Sequence, residues 1–529
     1  MKRPSILTVP FLGALAIGCV VTPAVYCANE MFTVHEFATG TARHQTALAG
    51  SFGGGTALVV VDMEETGQQH VQIYGFDGDD WSRALDAAFG PGILFVDVLH
   101  GADLDRLIAY RHGRVVWFDP DSATSAVLAE MSMTYRAPNH GGIPRIDISH
   151  DLNRDGLDDL VVPVVDGFRV ALQLPDGSFA TPVELGPPEP FLDASAYGEK
   201  RTYRQVGITP ENISWYLARV HQLDYDRDGL SDLAFWNGNR FDLYRQDETG
   251  TFQTTPDTFR TDVSFDFDGP YALAFQIGDA NPVSMVLGLG RHTDHRVLKG
   301  FRDLDADGVA DLITLTLSGR SPLRLRGRFE IHFGRPVPNG TAFSAEPDTT
   351  VDAPGRSAGG EPWGYATHRF DDFDGDGDLD AMLGAVNTGG PGMLRAMAAN
   401  AVSIDLALFR LGSRTYPDKP DAKRRVSSAF RPLSRRGPLF PAVLLGDVNG
   451  DGLKDLVIGD RWDRLSVFLA SDGPDPFQAP AVRIPVAIPA AGDLHVRLAD
   501  VNRDGREDVV IHHPSSTEPN RVIVLMARS

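Results

Sequence analysis

Short apolar runs recur along the chain, and each follows a turn rich in Asp and Gly. They are Leu160-Val161-Val162, Leu233-Ala234-Phe235, Leu312-Ile313, Ala381-Met382-Leu383, Leu456-Val457-Ile458 and Val509-Val510-Ile511. A second segment with period-two alternation follows. Phe168, Val170, Leu172 and Leu174 make one such face, and Phe329, Ile331 and Phe333 another. Strict alternation over four to eight residues is the pattern of a β-strand. Further short strands precede the turns, as at 218–223 and 495–499. The pattern predicts an all-β chain of many short strands. Gly 54 and Pro 36 agree, since turn formers at that density suit short elements better than long helices.

The turns are copies of one nine-residue motif, D-x-[DN]-x-D-G-x-x-D, present six times. The copies are Asp151, Asn153, Asp155, Gly156, Asp159; Asp224, Asp226, Asp228, Gly229, Asp232; and Asp303, Asp305, Asp307, Gly308, Asp311. They continue as Asp372, Asp374, Asp376, Gly377, Asp380; Asp447, Asn449, Asp451, Gly452, Asp455; and Asp500, Asn502, Asp504, Gly505, Asp508. A damaged seventh copy lies at 97–105, where Leu99 and Gly101 replace the third and fifth positions. The mean spacing is about 67 residues, which suits a four-stranded propeller blade with insertions.

Alternate acids in a tight turn converge oxygen atoms on one point. Positions one, three, five and nine offer side-chain oxygens, and position seven a backbone carbonyl. The glycine at position six permits the sharp turn. Hard oxygen ligands in a flexible cage select Ca²⁺ over softer metals. An EF-hand would add a Glu at position twelve and a following helix. Here position twelve is Val162, Phe235, Thr314, Leu383, Ile458 or Ile511, each in a strand-like run.

Charge sharpens this picture. The six turns hold 24 acidic and five basic residues, a net −19 of the chain's −22. The acidity therefore sits where a cation would offset it. A chain this acidic is a poor nucleic-acid binder, because phosphate contacts need clustered Lys and Arg. The two cysteines are Cys19 and Cys27, so the main body has neither a disulfide nor a Cys-based zinc site. Both fall in the N-terminal segment, where Met1-Lys2-Arg3 is basic and residues 4–29 carry no charge. This reads as an export signal over 1–28 with a short linker. Three endings compete: lipidation at Cys19 after a lipobox-like Ala16-Ile17-Gly18, cleavage after Thr22-Pro23-Ala24, or an uncleaved anchor. All export the remainder, to an extracellular, periplasmic or outer-membrane-anchored place. Only six of 49 basic residues are Lys, the bias of a GC-rich bacterial source. No later stretch is long and apolar enough for a membrane span.

Over roughly residues 90–515, these turns and their apolar strands resemble FG-GAP (VCBS-type) repeats, the family of the integrin α-subunit propeller. The resemblance implies a β-propeller with Ca²⁺ in turns between the first two strands of each blade. It implies about six Ca²⁺ ions, held by the Asp and Asn residues at positions one, three, five and nine. The position-seven carbonyls of Leu157, Leu230, Val309, Asp378, Leu453 and Arg506 complete the sets. Seven repeat positions predict seven blades in a single domain over 29–529. N-terminal strands, with 57–62 and 70–74 as candidates, would close the last blade and leave no free sheet edge.

Three connections read as long loops, near 183–217, 254–297 and 385–438, and loops on a rigid scaffold often carry function. The third holds Arg410, Arg414, Lys419, Lys423, Arg424, Arg425, Arg431, Arg435 and Arg436. It would attract an acidic polysaccharide, or serve as a solvated loop. His292-Thr293-Asp294-His295 and His512-His513 are weak candidates for acid–base or metal chemistry, and the six Trp residues for sugar stacking. No P-loop or zincin motif is present. The expected role is non-catalytic binding or adhesion to a polysaccharide or protein ligand at the cell surface or in the envelope. The rival reading is a polysaccharide lyase or hydrolase on the same scaffold. Fold alone does not choose between them.

Overall fold

The computed structural model describes residues 31–52, 55, 57–101, 104–133, 135, 142–164, 167–186, 213–268, 293–319, 326–354, 368–386, 398–429, 442–471, 473, 477, 481–489, 495–514 and 519–528. Their strands form eight sheets arranged as propeller blades, with one small two-stranded hairpin besides. Seven blades have four strands and one has five. Blades 1 to 7 run in chain order, starting with Arg43–Gly50, Phe95–Leu99, Ser149–His150, His221–Leu223, Thr293–Arg302, His368–Asp371 and Val443–Gly446. Blade 8 starts at Val496–Ala499. In blade 5, Phe267–Asp268 adds a parallel strand beside Thr293–Arg302.

The count corrects the expectation of seven blades. The strands Ala57–Met63 and Gln69–Phe76 do not close the last blade. They pair with Arg43–Gly50 and Trp81–Ala88 in a blade of their own. Its first turn, between Gly50 and Ala57, carries no acid, so counting acidic turns missed it. The strand that joins blade 8 is Phe32–Gly40, antiparallel to Asn520–Ala527 from Phe32↔Ala527 to Ala38↔Arg521. The Asn520 side-chain amide donates to the carbonyls of Gly40 and Ala42.

The apolar runs are the second strands of the blades, which bury side chains on both faces. In blade 1, Leu58 and Val60 pack on Val510 and Val522 of blade 8. The alternate residues Val59 and Val61 pack on Leu107 and Ala109 of blade 2. The rule repeats at Leu456 and Ile458, which face blade 6, and Val457, which faces blade 8. Blades 2, 3 and 4 share one apolar cluster, and further clusters join 4 to 5 and 5 to 6. The chain of interfaces thus closes on itself. A strand buried on both faces needs apolar residues at successive positions, which is why these runs do not alternate.

Two of the long loops dissolve into blade structure. Within 385–438, Ala401–Phe409 and Ala422–Ala429 are the third and fourth strands of blade 6. Two of their basic residues are engaged: Arg425 pairs with Asp405, and Arg424 donates to the Phe477 carbonyl and lies over the Phe468 ring. Arg431, Arg435 and Arg436 lie outside the described residues. Segment 254–297 contributes Asp257–Phe259, Phe267–Asp268 and the start of Thr293–Arg302, while 269–292 lies outside the described residues. So does most of the first connection, 187–212. Among the described residues no helix is long and apolar enough to cross a membrane.

Phe32 is 2% exposed in the interface between blades 7 and 8. Phe32→Ala should cost about 3–4 kcal/mol, the usual range for emptying a buried aromatic site. Denaturant unfolding monitored by circular dichroism would measure it. Deleting residues 32–40 should also bare the Asn520–Ala527 edge, and size-exclusion chromatography should then show larger species than the full chain gives.

Candidate cation sites in the blade turns

Each acidic turn leaves the first strand of its blade and re-enters the sheet on the first residue of the second. The backbone fold is the same in all six. Position four is left-handed at Arg154 (φ 58), Arg227 (φ 64), Ala306 (φ 51), Gly375 (φ 80), Gly450 (φ 79) and Arg503 (φ 57). Position six is a left-handed glycine throughout, from φ 80 at Gly308 to φ 94 at Gly377. A Cβ on these six glycines would meet nothing within 4 Å, so backbone conformation and not space selects glycine there.

The carboxylates are held by backbone donors. Position one accepts from the N–H of position six: Gly156 to Asp151 at 3.0 Å, Gly308 to Asp303 at 2.9 Å, Gly452 to Asp447 at 2.8 Å. Asp224, Asp372 and Asp500 accept likewise from Gly229, Gly377 and Gly505. Position five accepts from position seven. The N–H groups of Leu157, Leu230, Val309, Asp378, Leu453 and Arg506 each donate at 2.9 Å to Asp155, Asp228, Asp307, Asp376, Asp451 and Asp504.

Position nine goes deepest. Asp159, Asp311, Asp380, Asp455 and Asp508 are 0% exposed and Asp232 is 2% exposed. One oxygen of each accepts from a backbone N–H at the end of the third strand or just past it, of Gln173, Gln246, Gly334, Leu411, Ala470 or Ala527. In five turns the other accepts from position two, as Leu304 N–H does to Asp311 at 2.8 Å. Burial pushes the carboxyl up to about 7 in Asp159, Asp311, Asp380, Asp455 and Asp508, and to about 6 in Asp232. The backbone donors oppose that shift, and neighbouring carboxylates add to it.

Position three divides the turns. Asn153, Asn449 and Asn502 donate to the position-five carboxylate, at 3.0, 2.9 and 3.1 Å. Asp226, Asp305 and Asp374 instead have Oδ2 against an arginine: Arg245, Arg414 and Arg410. Their Oδ1 atoms are buried and take no hydrogen bond among the described residues. In these three turns, ligand oxygens of Asp224, Asp226 and Asp228, of Asp303, Asp305 and Asp311, and of Asp372, Asp374 and Asp376 lie within 4.8 Å of one another. A buried oxygen without a donor is costly unless something positive meets it, so the donor set fits a hard cation.

The damaged copy at 97–105 has a different register. Asp97 belongs to the strand Phe95–Leu99 and not to the turn. It is fully buried, pairs with Arg145 and accepts from the N–H groups of Ile148 and Ser149. Asp105 accepts from the Ser51 N–H at 2.6 Å and meets His100 at 2.9 Å. Beside this shortened turn lies a cleft of about 390 Å³, lined by Leu104, Arg106, Trp117, Asp119, Asp121, Leu174 and Asp176 among others. Arg106 covers one side of Trp117, 5.5 Å from its ring centroid.

The histidine candidates do not assemble a site among the described residues. His512 is buried, its imidazole pushed down to about 3 by burial, and it stacks edge-on with His495. His513 contacts the Ala487 carbonyl at 3.0 Å. His292 and the side chain of His295 lie outside the described residues, as do the side chains of Trp215 and Trp363 and residues 1–30 with Cys19 and Cys27. Trp81 packs against Phe37 and Phe76, Trp236 against Phe265, and Trp462 against the cluster of blades 7 and 8. Sequence reasoning placed Arg410 and Arg414 in a basic loop and missed their pairing with the acidic turns, along with Arg245 and the cleft, because these are made by residues from separate strands or blades.

No curated protein matches the chain. Solved structures with similar coordinates include the WD40 domain of SCAP from fission yeast, 9% identical over 94% of this chain and 98% of that one, with TM-score 0.35. Dipeptidyl peptidase 4 of Porphyromonas gingivalis is 10% identical over 93% of this chain and 60% of its own, with TM-score 0.36. A Photorhabdus luminescens Tc holotoxin pore chain is 14% identical, with TM-score 0.30; the match covers 92% of this chain but only 19% of the toxin chain. The blade count rests on strand pairing and not on these likenesses. Residues 447–511 match the FG-GAP-like repeat family, and that segment spans the acidic turns of blades 7 and 8. The same turn geometry recurs in blades 3 to 6, so the chain is a β-propeller of which residues 447–511 match FG-GAP-like repeats.

Proposed function

We propose that this protein is an exported propeller that binds Ca²⁺ in its six acidic turns and acts as a non-catalytic binding scaffold. The observation that carries the calcium reading is the set of buried, unpartnered oxygens on Asp226, Asp305 and Asp374. Residues at positions one, three, five and nine would hold the ion, with the carbonyl at position seven. The ion would supply charge neutralisation between strands one and two. Export rests on the basic start and the uncharged residues 4–29, with lipidation at Cys19 as one of its outcomes. The cleft beside Trp117 supports the binding reading, since it joins the Trp117 ring to four carboxylates, Asp105, Asp119, Asp121 and Asp176, and the Arg106 guanidinium. A polysaccharide or a protein segment would suit such a lining.

Elemental analysis after dialysis against Ca²⁺ should find about six ions per chain. Extracellular calcium modules bind at roughly 0.1–1 mM. At about 2 mM Ca²⁺ and a Kd near 0.1 mM, each site adds about 1.8 kcal/mol by linkage. Chelation should therefore lower the melting temperature by many degrees; an unchanged melting curve would refute the assignment. On a glycan array, Ca²⁺-loaded protein should retain a subset of glycans and Trp117→Ala should lose it. A blank array would direct the search to protein ligands.

The position-nine carboxyls also set a pH dependence. Their folded values, about 6 to about 7, lie above the ordinary 3.8. In cation-free protein the folded state thus binds more protons than the unfolded chain. This contribution to stability is complete below about pH 4 and is lost as pH rises through about 7. Ca²⁺ requires the ionised form, so its uptake should release protons, and its affinity should fall between pH 7.5 and about pH 5.5. Calorimetric titration in buffers of different ionisation enthalpy would count the protons.

A further inference from the structure

The arginines at position three follow a rule. The residue whose N–H caps each position-nine carboxylate aligns the six blades: Gln246, Gly334 and Leu411 in the Asp-type turns, and Gln173, Ala470 and Ala527 in the Asn-type turns. One residue earlier, the Asn-type blades carry Leu172, Leu469 and Met526. The Asp-type blades carry Arg245, Phe333 and Arg410. The exception keeps the rule, because Arg414 crosses from blade 6 and lies over the Phe333 ring, 4.6 Å from its centroid. From there it reaches Asp305 at 3.0 Å and Asp307 at 2.9 Å.

We infer that Arg245, Arg410 and Arg414 are charge-setting residues of the cation sites, each cancelling the extra carboxylate at position three. Counted over positions one, three, five and nine, an Asn-type turn carries three carboxylates. An Asp-type turn carries four and one guanidinium. Both arrive at the same net charge, so the two turn types present one divalent ion with matched cages. The geometry shows how a guanidinium and an ion would share one carboxylate. In each Asp-type turn Oδ2 faces the arginine from outside the turn, and the buried Oδ1 is left for the ion. Arg506 differs, since its turn has Asn502 at position three, it stays 3.5 Å from Asp504, and its Nε donates to the Asn449 carbonyl of blade 7. Calcium sites are tuned by ligand charge count and rigidity, and a second-sphere cation changes both.

This inference rests on the calcium reading, and the test separates the two. Native mass spectrometry counts Ca²⁺ per chain as free Ca²⁺ is raised. Asp226→Asn alone leaves two carboxylates uncancelled, one fewer than either turn type by the count above, and its ion should bind about tenfold or more weakly. Adding Arg245→Leu recreates the Asn-type pairing and should bring that ion back to within about threefold of wild type. Asp374→Asn with and without Arg410→Leu repeats the cycle in another blade, should the first pair fold poorly. Melting curves at saturating Ca²⁺ report folding. Rescue in either blade supports the pairing. Six ions in wild type with no rescue in either double variant overturns the inference alone. Wild-type protein that takes up no Ca²⁺ overturns the calcium reading and this inference with it.

Discussion

Six buried carboxylates, one at the end of each acidic turn, hold the upper edge of blades 3 to 8 together. Each ties the turn to the third strand through backbone N–H groups, so three consecutive strands meet at a single side chain. A carboxylate buried this deeply is stable only with several donors or a proton. The left-handed residues at positions four and six aim backbone donors at the neighbouring acids. The apolar interfaces below pack as a closed ring, while turn carbonyls bond across blades, as those of Asp151 and Asn153 do to the side-chain amides of Gln222 and Gln246.

The division of labour between turn and core explains what the sequence disclosed. Acidic turns and apolar second strands are local, so the strand order within blades 3 to 8 could be read from spacing. The same locality hid blade 1, whose first turn at 51–56 contains no acid and whose strands read as spare closing segments. It also misplaced Asp97. With a shorter turn in blade 2, that acid falls three residues before the turn, inside a strand, where Arg145 and two backbone donors hold it.

The apparent basic loop near 385–438 shows the limit of reading charge along a chain. Arg410 and Arg414 lie close in sequence but serve different blades, one meeting Asp374 and the other Asp305. Arg425 meets Asp405 across a strand pair. Clustering in sequence became dispersal in space: Arg410 and Arg414 lie in the connection between Ala401–Phe409 and Ala422–Ala429, and the successive strand residues Arg424 and Arg425 go to opposite faces. The cleft beside Trp117 is the converse case. Its walls come from three blades, and no window of sequence contains it.

Ring closure through Phe32–Gly40 has a consequence for the order of events in folding. Glu36 and Arg521 touch although they are 485 residues apart. A nascent chain makes Phe32–Gly40 before the other strands of the ring and its partner after them, so this contact cannot form until every blade between has been synthesised. Until then the first strand lacks its neighbour and the first and last blades lack their shared interface. The seam therefore closes only after the blades between have been made. A chain crossing a membrane as an extended polymer would keep that seam open until its final strand emerged.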